Sequence, residues 1–365
     1  MVYCFRYSEW MELAAFDYEL PHELIAQEPL ADRAASRMLV VYRDEKRWGD
    51  GQFRDFPQFL RAGDCVVLND SRVFPARLIG QRTGVHSLPV GRRNPKRREY
   101  LSGRAEVFLL RQVSADGKEW EALVRPGRKM RTGEHIRFED GLEGEIVARG
   151  AFGARTIRFH TDADPFEKFE KIGHVPLPPY IKRADRPWDR ERYQTVFAQE
   201  KGSVAAPTAG LHFTPGVLEE CRARGAEVAS VTLHVGLGTF QPLHVDEVEQ
   251  ARLHTERYSI SEENAAKMAA ARRLVAVGTT SVRTIETALA RGGLCAQRGE
   301  TDIFLYPGVP FRGTGALLTN FHLPRTSLLL LVCAFAGTEL TLAAYRHAVD
   351  ERYRFYSYGD CMLIV

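Results

Sequence analysis

A run of small, hydroxyl-bearing and titratable residues occupies positions 200–213, with the sequence EKGSVAAPTAGLHF. Its residues follow neither the helical nor the strand period, and its glycines allow a ligand to approach the backbone closely. Glu200 and His212 supply groups that can take part in proton transfer. Because a segment of this composition is poor material for a core, we predict that it forms an active-site loop.

Polar groups also fill other loops that follow predicted strands or helices, at positions 236–240, 278–283, 318–324 and 354–360. In open α/β sheets, ligands bind at the carboxyl ends of the strands. The loop at 278–283 has the clearest pattern, because Gly278 ends a predicted strand and three hydroxyl residues begin a predicted helix. The unpaired N–H groups and the dipole of a helix N-terminus favour an anionic group, so this loop is a candidate carboxylate or phosphate site.

The same loop has a purely structural alternative. Thr280 or Ser281 would then only cap the helix, and Arg283 would pair with a carboxylate on the surface. The glycine spacing differs from that of Walker and Rossmann loops, so we predict neither a nucleoside triphosphate nor a dinucleotide.

Histidines are frequent between positions 212 and 322, where they are His212, His234, His244, His254 and His322. Their spacing lacks the close pairs that are typical of zinc sites, so no metal ion is predicted. Most of these histidines are expected to be structural. His212 and His322 differ from the rest because each lies among small or polar neighbours, where an imidazole is available for proton transfer.

Basic and aromatic residues indicate contact with a nucleic acid. Between Arg82 and Arg104 the chain has seven basic residues and a single acid, Glu99. Near the C-terminus, Arg354 and Tyr356 belong to a mixed aromatic and basic cluster that suits stacking on a base and contact with a phosphate. The alternative for that cluster is packing in the core.

The order of elements predicts an α/β (mixed α+β) larger domain with an inserted small antiparallel β-barrel domain. Short apolar or alternating runs separated by glycine-bearing turns fill residues 73–160 and predict the barrel. Residues 1–72 and 161–365 are then one discontinuous catalytic domain, in which the apolar run at 328–336 is a buried strand or helix. Residues 86–103 predict a long basic loop of the barrel.

Composition describes an ordinary soluble globular chain of 365 residues, with 44% hydrophobic residues, 27% charged residues and a net charge of +3. The six cysteines are scattered and form no C-x-x-C pair, so neither a zinc site nor a disulfide framework is predicted. This cysteine usage and the absence of an apolar run near the roughly 20 residues that a bilayer requires predict a cytoplasmic protein without membrane contact.

Seven long stretches carry a family resemblance. They are FDYELPHELIAQEPLADRAASRML at 16–39, VLNDSRVFPARL at 67–78, YQTVFAQEKGSVAAPTAGLHF at 193–213, TLHVGLGTFQPL at 232–243, AVGTTSVRTIE at 276–286, TNFHLPRTSLLLLVCAFAG at 319–337 and YRFYSYGDCMLI at 353–364. Together they resemble the S-adenosylmethionine:tRNA ribosyltransferase-isomerase family of queuosine biosynthesis. The chain departs from the family pattern in its first ten residues and at 86–103.

The resemblance implies a transferase that moves the ribosyl moiety of S-adenosylmethionine onto 7-aminomethyl-7-deazaguanine at the wobble position of tRNA. The sugar is isomerised to an epoxycyclopentane, so the product is epoxyqueuosine and both adenine and methionine are released. S-adenosylmethionine is then a cosubstrate, and no permanently bound cofactor is expected. The implied partner is tRNA with a guanosine-starting anticodon, and we expect the protein to be a monomer.

This reaction requires a base for a proton beside the sulfonium, an acid for departing adenine, and partners for the methionine group. His212 is the first choice for proton transfer, with Glu200 and His322 as alternatives. The residues expected to bind S-adenosylmethionine are Asp70, Thr208, Gly278, Thr279, Thr280, Ser281, Arg283 and Asn320. Of these, the helix N-terminus and Arg283 are expected to hold the methionine carboxylate, and Asp70 and Asn320 the adenine or ribose. The residues expected to contact tRNA are Arg92, Arg93, Arg97, Arg98, Arg125, Arg128, Lys129, Arg354 and Tyr356.

Two other classes share some of these features. An RNA methyltransferase would use the same two ligands, but the Rossmann-type glycine turn that is usual in that class is absent near the N-terminus. A non-catalytic RNA-binding protein would explain the barrel and the basic loop, but it leaves the polar loops unexplained. Analysis of products distinguishes the three, because methyl transfer leaves S-adenosylhomocysteine and an RNA-binding protein shows no turnover.

Overall fold

The computed structural model describes residues 10–83, 103–236 and 242–365. These residues form a nine-stranded mixed sheet, a closed six-stranded barrel and a two-stranded sheet. The strands are β1 (Arg37–Tyr42), β2 (Arg47–Gln52), β3 (Asp64–Asn69), β4 (Ser71–Val73), β5 (Arg77–Arg82), β6 (Arg104–Gln112), β7 (Glu119–Arg125), β8 (His135–Phe138), β9 (Glu143–Arg149), β10 (Arg155–His160), β11 (Glu200–Ser203), β12 (Glu227–Leu233), β13 (Glu256–Ile260), β14 (Arg273–Val277), β15 (Gln297–Thr301), β16 (Thr314–Asn320) and β17 (Cys361–Ile364). The α-helices are α1 (Pro165–Ile172), α2 (Asp189–Arg192), α3 (Pro215–Ala223), α4 (Glu262–Ala270), α5 (Thr279–Ala290), α6 (Ser327–Ala336) and α7 (Thr338–Asp350). The predicted fold class, a mixed α/β part with a small antiparallel barrel, is confirmed.

The nine-stranded sheet has the order β15-β13-β12-β3-β14-β16-β17-β1-β2. Strands β12, β3, β14 and β16 are neighbours and run parallel to one another. Their carboxyl ends therefore lie on one edge of the sheet, which we call the carboxyl edge. The chain leaves this edge at Asp70, His234, Gly278 and Phe321, so the predicted polar loops at 278–283 and 318–324 meet there.

Both faces of the sheet are buried. Strand β3 is buried at all six positions, and its alternate residues face opposite sides. Cys65 and Val67 pack into the cluster that contains apolar residues of α4, α5 and α6. Val66 and Leu68 pack into a second cluster with Phe213 and residues of α3. A strand covered on both faces has a continuous apolar run, and residues 65–68 of β3 have this pattern.

The barrel closes in the order β10-β7-β6-β5-β8-β9. Its interior is filled by a separate apolar cluster, and helix α1 packs against that cluster through Phe169, whose ring lies 5.4 Å from Trp120 and 4.9 Å from Phe159. All six strands lie within the predicted segment 73–160, while the large sheet takes strands from both sides of it. The exact limits of an inserted domain stay a prediction.

The apolar run at 328–336 is a helix, α6, and seven of its nine positions are buried, all except Ala334 and Ala336. Among the described residues, no single helix is long and apolar enough to cross a membrane. Helices α6 and α7 pass that test only when taken together, and they are bent by 115° at their junction. Nearly all of the predicted basic loop at 86–103 and of the polar loop at 236–240 lies outside the described residues.

Candidate active site

The junction of β14 and α5 forms the centre of the carboxyl edge. Gly278 precedes the helix with a φ of 86°, a left-handed conformation that favours glycine. The hydroxyl of Ser281 donates to Val277 O at 2.8 Å, so it is engaged within the helix and does not cap it. Thr280 Oγ1 is buried and forms no hydrogen bond within the described part of the chain. The helix therefore begins with unpaired N–H groups beside a buried, unsatisfied hydroxyl.

Two small cavities adjoin this junction. Thr208, Gly278, Thr279, Thr280 and His322 line a cavity of about 20 Å³. Thr208 and His322 also line a cavity of about 10 Å³ together with Asn320 and Tyr356. Each has room for about one water molecule. The structure thus brings together most of the residues that were expected to bind S-adenosylmethionine, and we call this group the edge site.

His322 lies between these two cavities and is buried. Burial lowers the pKa of His322 to about 3, so its ring is neutral at physiological pH. Its Nε2 lies 2.8 Å from Thr319 Oγ1, and the Thr319 hydroxyl donates to Asn320 O at 3.3 Å. A neutral imidazole keeps one of its two ring nitrogens unprotonated beside these cavities. The geometry therefore suits a proton acceptor.

His212 has a different environment. Its Nδ1 lies 2.8 Å from Ser36 Oγ and its Nε2 lies 3.2 Å from Asn320 Oδ1. Burial, with smaller effects of Arg354 and Arg33, lowers the pKa of His212 to about 4. Because Asn320 Oδ1 can only accept, Nε2 carries the proton and Nδ1 accepts from Ser36. Both nitrogens are engaged, so His212 orients Asn320, whose amide donates to Tyr356 O at 2.8 Å.

Asp70 and Glu200 form a second titratable group, at the end of β3. The pKa of Asp70 is raised to about 6, mainly by burial; a hydrogen bond from Thr232 Oγ1 at 2.7 Å opposes the rise and the nearby Glu200 carboxylate adds to it. Glu200 is exposed, and its backbone N–H donates to Asp70 O at 3.2 Å. An aspartate that titrates near neutral pH can act as an acid or a base, which makes Asp70 a better candidate than its expected binding role suggested.

Arg283 does not pair on the surface. It forms a buried ion pair with Glu256, and the two side chains are 4% and 3% exposed. The Nε and Nη2 atoms of Arg283 are buried and make no hydrogen bond within the described residues. Arg283 also lines a cavity of about 370 Å³, together with His244, Arg252 and Phe304. This volume is within the range of small-molecule sites, and we call it the Arg283 cavity. Leu328 lines both this cavity and the edge site.

The expected tRNA contacts differ in their exposure. Arg125, Arg128 and Lys129 lie on or next to the loop that follows β7, and all three are exposed. Tyr356 is buried, and its ring centroid lies 4.0 Å from that of Tyr180. Tyr356 therefore packs in the core and is not available to stack on a base. Arg354 is partly buried and donates to Glu28 O. Arg92, Arg93, Arg97 and Arg98 lie outside the described residues.

Three contributors to the site were missed by the sequence analysis: Ser36, Thr319 and Glu256. Ser36 contacts His212, which is 176 residues away in the chain. Thr319 contacts His322, three residues later, only because the chain turns between them. Glu256 did leave a signal, because in β13 it is in phase with the buried residues Tyr258 and Ile260. A carboxylate in phase with buried apolar residues requires a buried partner, which here is Arg283.

Known proteins resemble the whole chain. A family model described as "Queuosine biosynthesis protein" matches residues 13–364. The S-adenosylmethionine:tRNA ribosyltransferase-isomerase of Solibacter usitatus is 73% identical over 355 residues, which are 97% of this chain and 100% of the relative. The enzyme of the same name from Symbiobacterium thermophilum is 49% identical over 362 residues, with 97% and 100% coverage. A crystal structure of S-adenosylmethionine tRNA ribosyltransferase from Thermotoga maritima has a TM-score of 0.52 and 35% identity, and it covers 96% of this chain and 100% of that one.

Proposed function

Because this chain belongs to the queuosine biosynthesis protein family, we propose that it is a transferase that acts on tRNA as an S-adenosylmethionine:tRNA ribosyltransferase-isomerase. It transfers the ribosyl moiety of S-adenosylmethionine onto 7-aminomethyl-7-deazaguanine at the wobble position of tRNA and isomerises the sugar. The products are epoxyqueuosine in tRNA, free adenine and free methionine. S-adenosylmethionine is consumed as a substrate, and no permanently bound cofactor is proposed.

One observation supports this function most directly. The edge site and the Arg283 cavity share Leu328, and together they contain unsatisfied buried donors at Thr280 and Arg283. A buried polar group without a partner destabilises a protein by about 1–3 kcal/mol, and more when it is charged. Such groups are expected where a polar ligand completes their hydrogen bonds, and a carboxylate is the matching partner of a guanidinium.

In our proposal, the methionine carboxylate binds to Arg283 and to the first turn of α5. The Arg283 side chain keeps one nitrogen on Glu256 and has Nε and Nη2 left for a two-point contact. The reacting ribose then lies toward Thr208 and His322, which line the edge site. The transfer breaks the bonds from the sugar to sulfur and to adenine, and sulfur leaves as the neutral thioether of methionine. It forms one C–N bond to the aminomethyl nitrogen of the tRNA base, which loses a proton, and the isomerisation closes the five-carbon ring with a C–C bond between the two ends of the sugar.

Two proton transfers are assigned to different residues. His322 is assigned removal of the proton beside the sulfonium, because its neutral ring lines both cavities of the edge site. Asp70 supplies a proton to departing adenine, because a carboxyl with a pKa of about 6 is partly protonated near neutral pH. His212 is a positioning residue that holds the Asn320 amide.

The barrel is the proposed surface for the tRNA backbone. Arg125, at the end of β7, and Arg128 and Lys129, on the loop that follows it, are exposed, and the basic stretch at 86–103 belongs to the same predicted segment of the chain, 73–160. Basic groups of this kind contact phosphates and make binding depend on salt. We propose that tRNAs with guanosine-starting anticodons are the substrates.

The test is incubation of the purified chain with S-adenosylmethionine and tRNA that carries the aminomethyl-deazaguanine precursor. Mass spectrometry of the digested nucleosides should show epoxyqueuosine, and free adenine should appear in equal amount. The same tRNA with unmodified guanosine at the wobble position is the control and should release no adenine. Formation of S-adenosylhomocysteine, or folded protein without either product, would reject the proposal.

A further inference from the structure

Three side chains with metal-binding donor atoms meet on the outer face of the barrel. His135 is on β8, Glu145 on β9 and His160 on β10, which are adjacent strands. His135 and Glu145 are directly opposite each other in the register of β8 and β9. Their side chains point outward because the alternating neighbours, such as Ile136 and Phe159, fill the barrel interior.

The donor atoms of this group are close enough to share one ion. One ligand atom from each of the three residues lies within 4.8 Å of the other two. His160 Nε2 lies 3.6 Å from Glu145 Oε2, and the two imidazole rings are nearly parallel, with centroids 6.3 Å apart. In a tetrahedral zinc site with bonds of about 2.0–2.1 Å, ligand atoms are about 3.3 Å apart. His160 and Glu145 are 47% and 32% exposed, so small rotations close the remaining distance.

The charges around the group leave the Glu145 carboxylate facing the two histidines. Arg137, on the same face, forms an ion pair with Glu143 at 3.1 Å. Arg158, which is opposite Glu145 in the register of β9 and β10, forms an ion pair with Glu119 at 2.8 Å. Both arginines of this face are thus directed to other carboxylates.

We propose that His135, Glu145 and His160 form a binding site for one divalent transition-metal ion of the zinc class. Imidazole nitrogens suit Zn²⁺, Co²⁺ and Ni²⁺, whereas Mg²⁺ and Ca²⁺ prefer oxygen ligands alone. Three protein ligands leave at least one coordination position for water. Because each ligand comes from a different strand, the ion joins β8, β9 and β10 and stabilises the folded barrel. The site is separate from the edge site and does not depend on the proposed reaction.

The first experiment measures binding directly. Metal-free full-length chain is titrated with Zn²⁺ by calorimetry, and we expect one saturable high-affinity ion per chain. Loss of groups that only orient a ligand weakens metal binding by about 10–100-fold, so loss of a ligand should weaken it by about 100-fold or more. His135→Gln, Glu145→Gln and His160→Gln should each show this loss. The matched control is His347→Gln, because His347 pairs with Asp50 at 3.0 Å and provides a histidine–carboxylate pair outside the triad.

A second experiment distinguishes loss of a ligand from loss of folding. Without metal, the three variants should keep the melting temperature and circular dichroism of the parent chain, because their side chains lie on the outer face. Zn²⁺ should raise the melting temperature of the parent and of His347→Gln, but not that of the triad variants. Co²⁺ bound to the parent should give visible absorption bands that the triad variants lack. Equal binding by parent and triad variants, loss of binding in His347→Gln, or no saturable binding would overturn the proposal.

Discussion

Two pairs of histidines illustrate how differently the two halves of the molecule use the same side chain. His212 and His322, at the carboxyl edge of the large sheet, are 3% and 8% exposed, whereas on the barrel His135 is half-buried and the His160 side chain is 47% exposed. The edge histidines contact a serine, an asparagine and a threonine, while the barrel pair adjoins a carboxylate. Burial with neutral partners keeps an imidazole unprotonated, so that it can accept a proton. Exposure beside a carboxylate suits an imidazole that binds a metal ion. The comparison suggests that the edge carries out chemistry and the barrel binds.

The largest expected effect tests the edge half of this comparison. His322→Gln should lower kcat by about 100- to 10,000-fold, because it removes the proposed proton acceptor. His212→Gln should lower it by much less, because it only releases Asn320. Steady-state kinetics of adenine release, with S-adenosylmethionine binding measured separately, give both values. A greater loss in His212→Gln than in His322→Gln would reverse the two roles, and His135→Gln on the barrel is the control that should keep kcat.

The second prediction contrasts two ion pairs. Arg283→Gln removes the cationic partner of the buried Glu256 carboxylate, so it should lower the free energy of unfolding by about 3–5 kcal/mol. It should also raise the Kd of S-adenosylmethionine by about 10–100-fold, since charged hydrogen bonds contribute about 1.5–3 kcal/mol. On the barrel, Arg137 and Glu143 are 67% and 45% exposed, so Arg137→Gln should change the free energy of unfolding by less than about 1 kcal/mol.

A double variant separates folding from binding in the same pair. Arg283→Gln combined with Glu256→Gln removes both buried charges, so it should recover part of the lost stability in urea unfolding. It should not recover affinity for S-adenosylmethionine. Recovery of both would mean that Arg283 acts only through the fold.

The third prediction uses the pKa shifts of the edge. Burial lowers the pKa values of His212 and His322 to about 4 and about 3, below the ~6.5 of an unfolded histidine. The unfolded chain therefore binds more protons below pH 6.5, and stability is lost as the pH falls from there toward 4. His212→Gln should reduce this slope by up to about 1.4 kcal/mol per pH unit, measured by urea unfolding between pH 7 and 4.5.

Asp70 provides a control, because its raised pKa changes the stability of the fold with pH in the opposite direction. Burial raises the pKa of Asp70 to about 6, so this group adds stability as the pH falls through 6 and loses it as the pH rises. Asp70→Asn should therefore make the loss of stability in acid steeper. If both variants changed the slope in the same direction, the assigned environments of these residues would be incorrect.

The smallest expected effect tests the barrel half. Changing Arg125, Arg128 and Lys129 together to Gln should raise the Kd of tRNA several-fold and reduce the dependence of log Kd on log salt by up to about 3, or about 1 for each lost phosphate contact. The value of kcat at saturating tRNA should be unchanged. A lower kcat with an unchanged salt dependence of tRNA binding would contradict the assignment of chemistry to the carboxyl edge and of tRNA binding to the barrel.

Local patterns in the sequence predicted much of the fold. Strand β3 is an apolar run bounded by polar residues, and the alternating runs at 107–110 and 120–124 fall within barrel strands β6 and β7. Such patterns show which positions of a segment are buried, and this can be inferred without knowing which elements cover each face. The run at 328–336 remained open between strand and helix, because a fully buried segment has no periodicity.

The loops that form the site could be predicted from the sequence, but the role of each residue in them could not. The glycine turn before α5 and the loop at 318–324 were identified correctly as parts of one edge. The role of each histidine depended on its partners, and His212 is engaged on both sides by Ser36 and Asn320, which are 176 and 108 residues away in the chain. Likewise, Arg283 was expected on the surface or on a ligand, and its pairing with Glu256 required two elements to pack.

The amino-acid sequence by itself therefore determined the class of fold, the loops that carry polar groups and the family to which the chain belongs. Periodicity and motifs are properties of neighbouring positions in the chain, so they can be recognised without a structure. Tertiary structure decided which histidines are desolvated, which arginines keep unsatisfied donors and which three strands bring His135, Glu145 and His160 together. Desolvation and shared coordination depend on distances in space between residues that are far apart in the chain, and no local pattern records those distances.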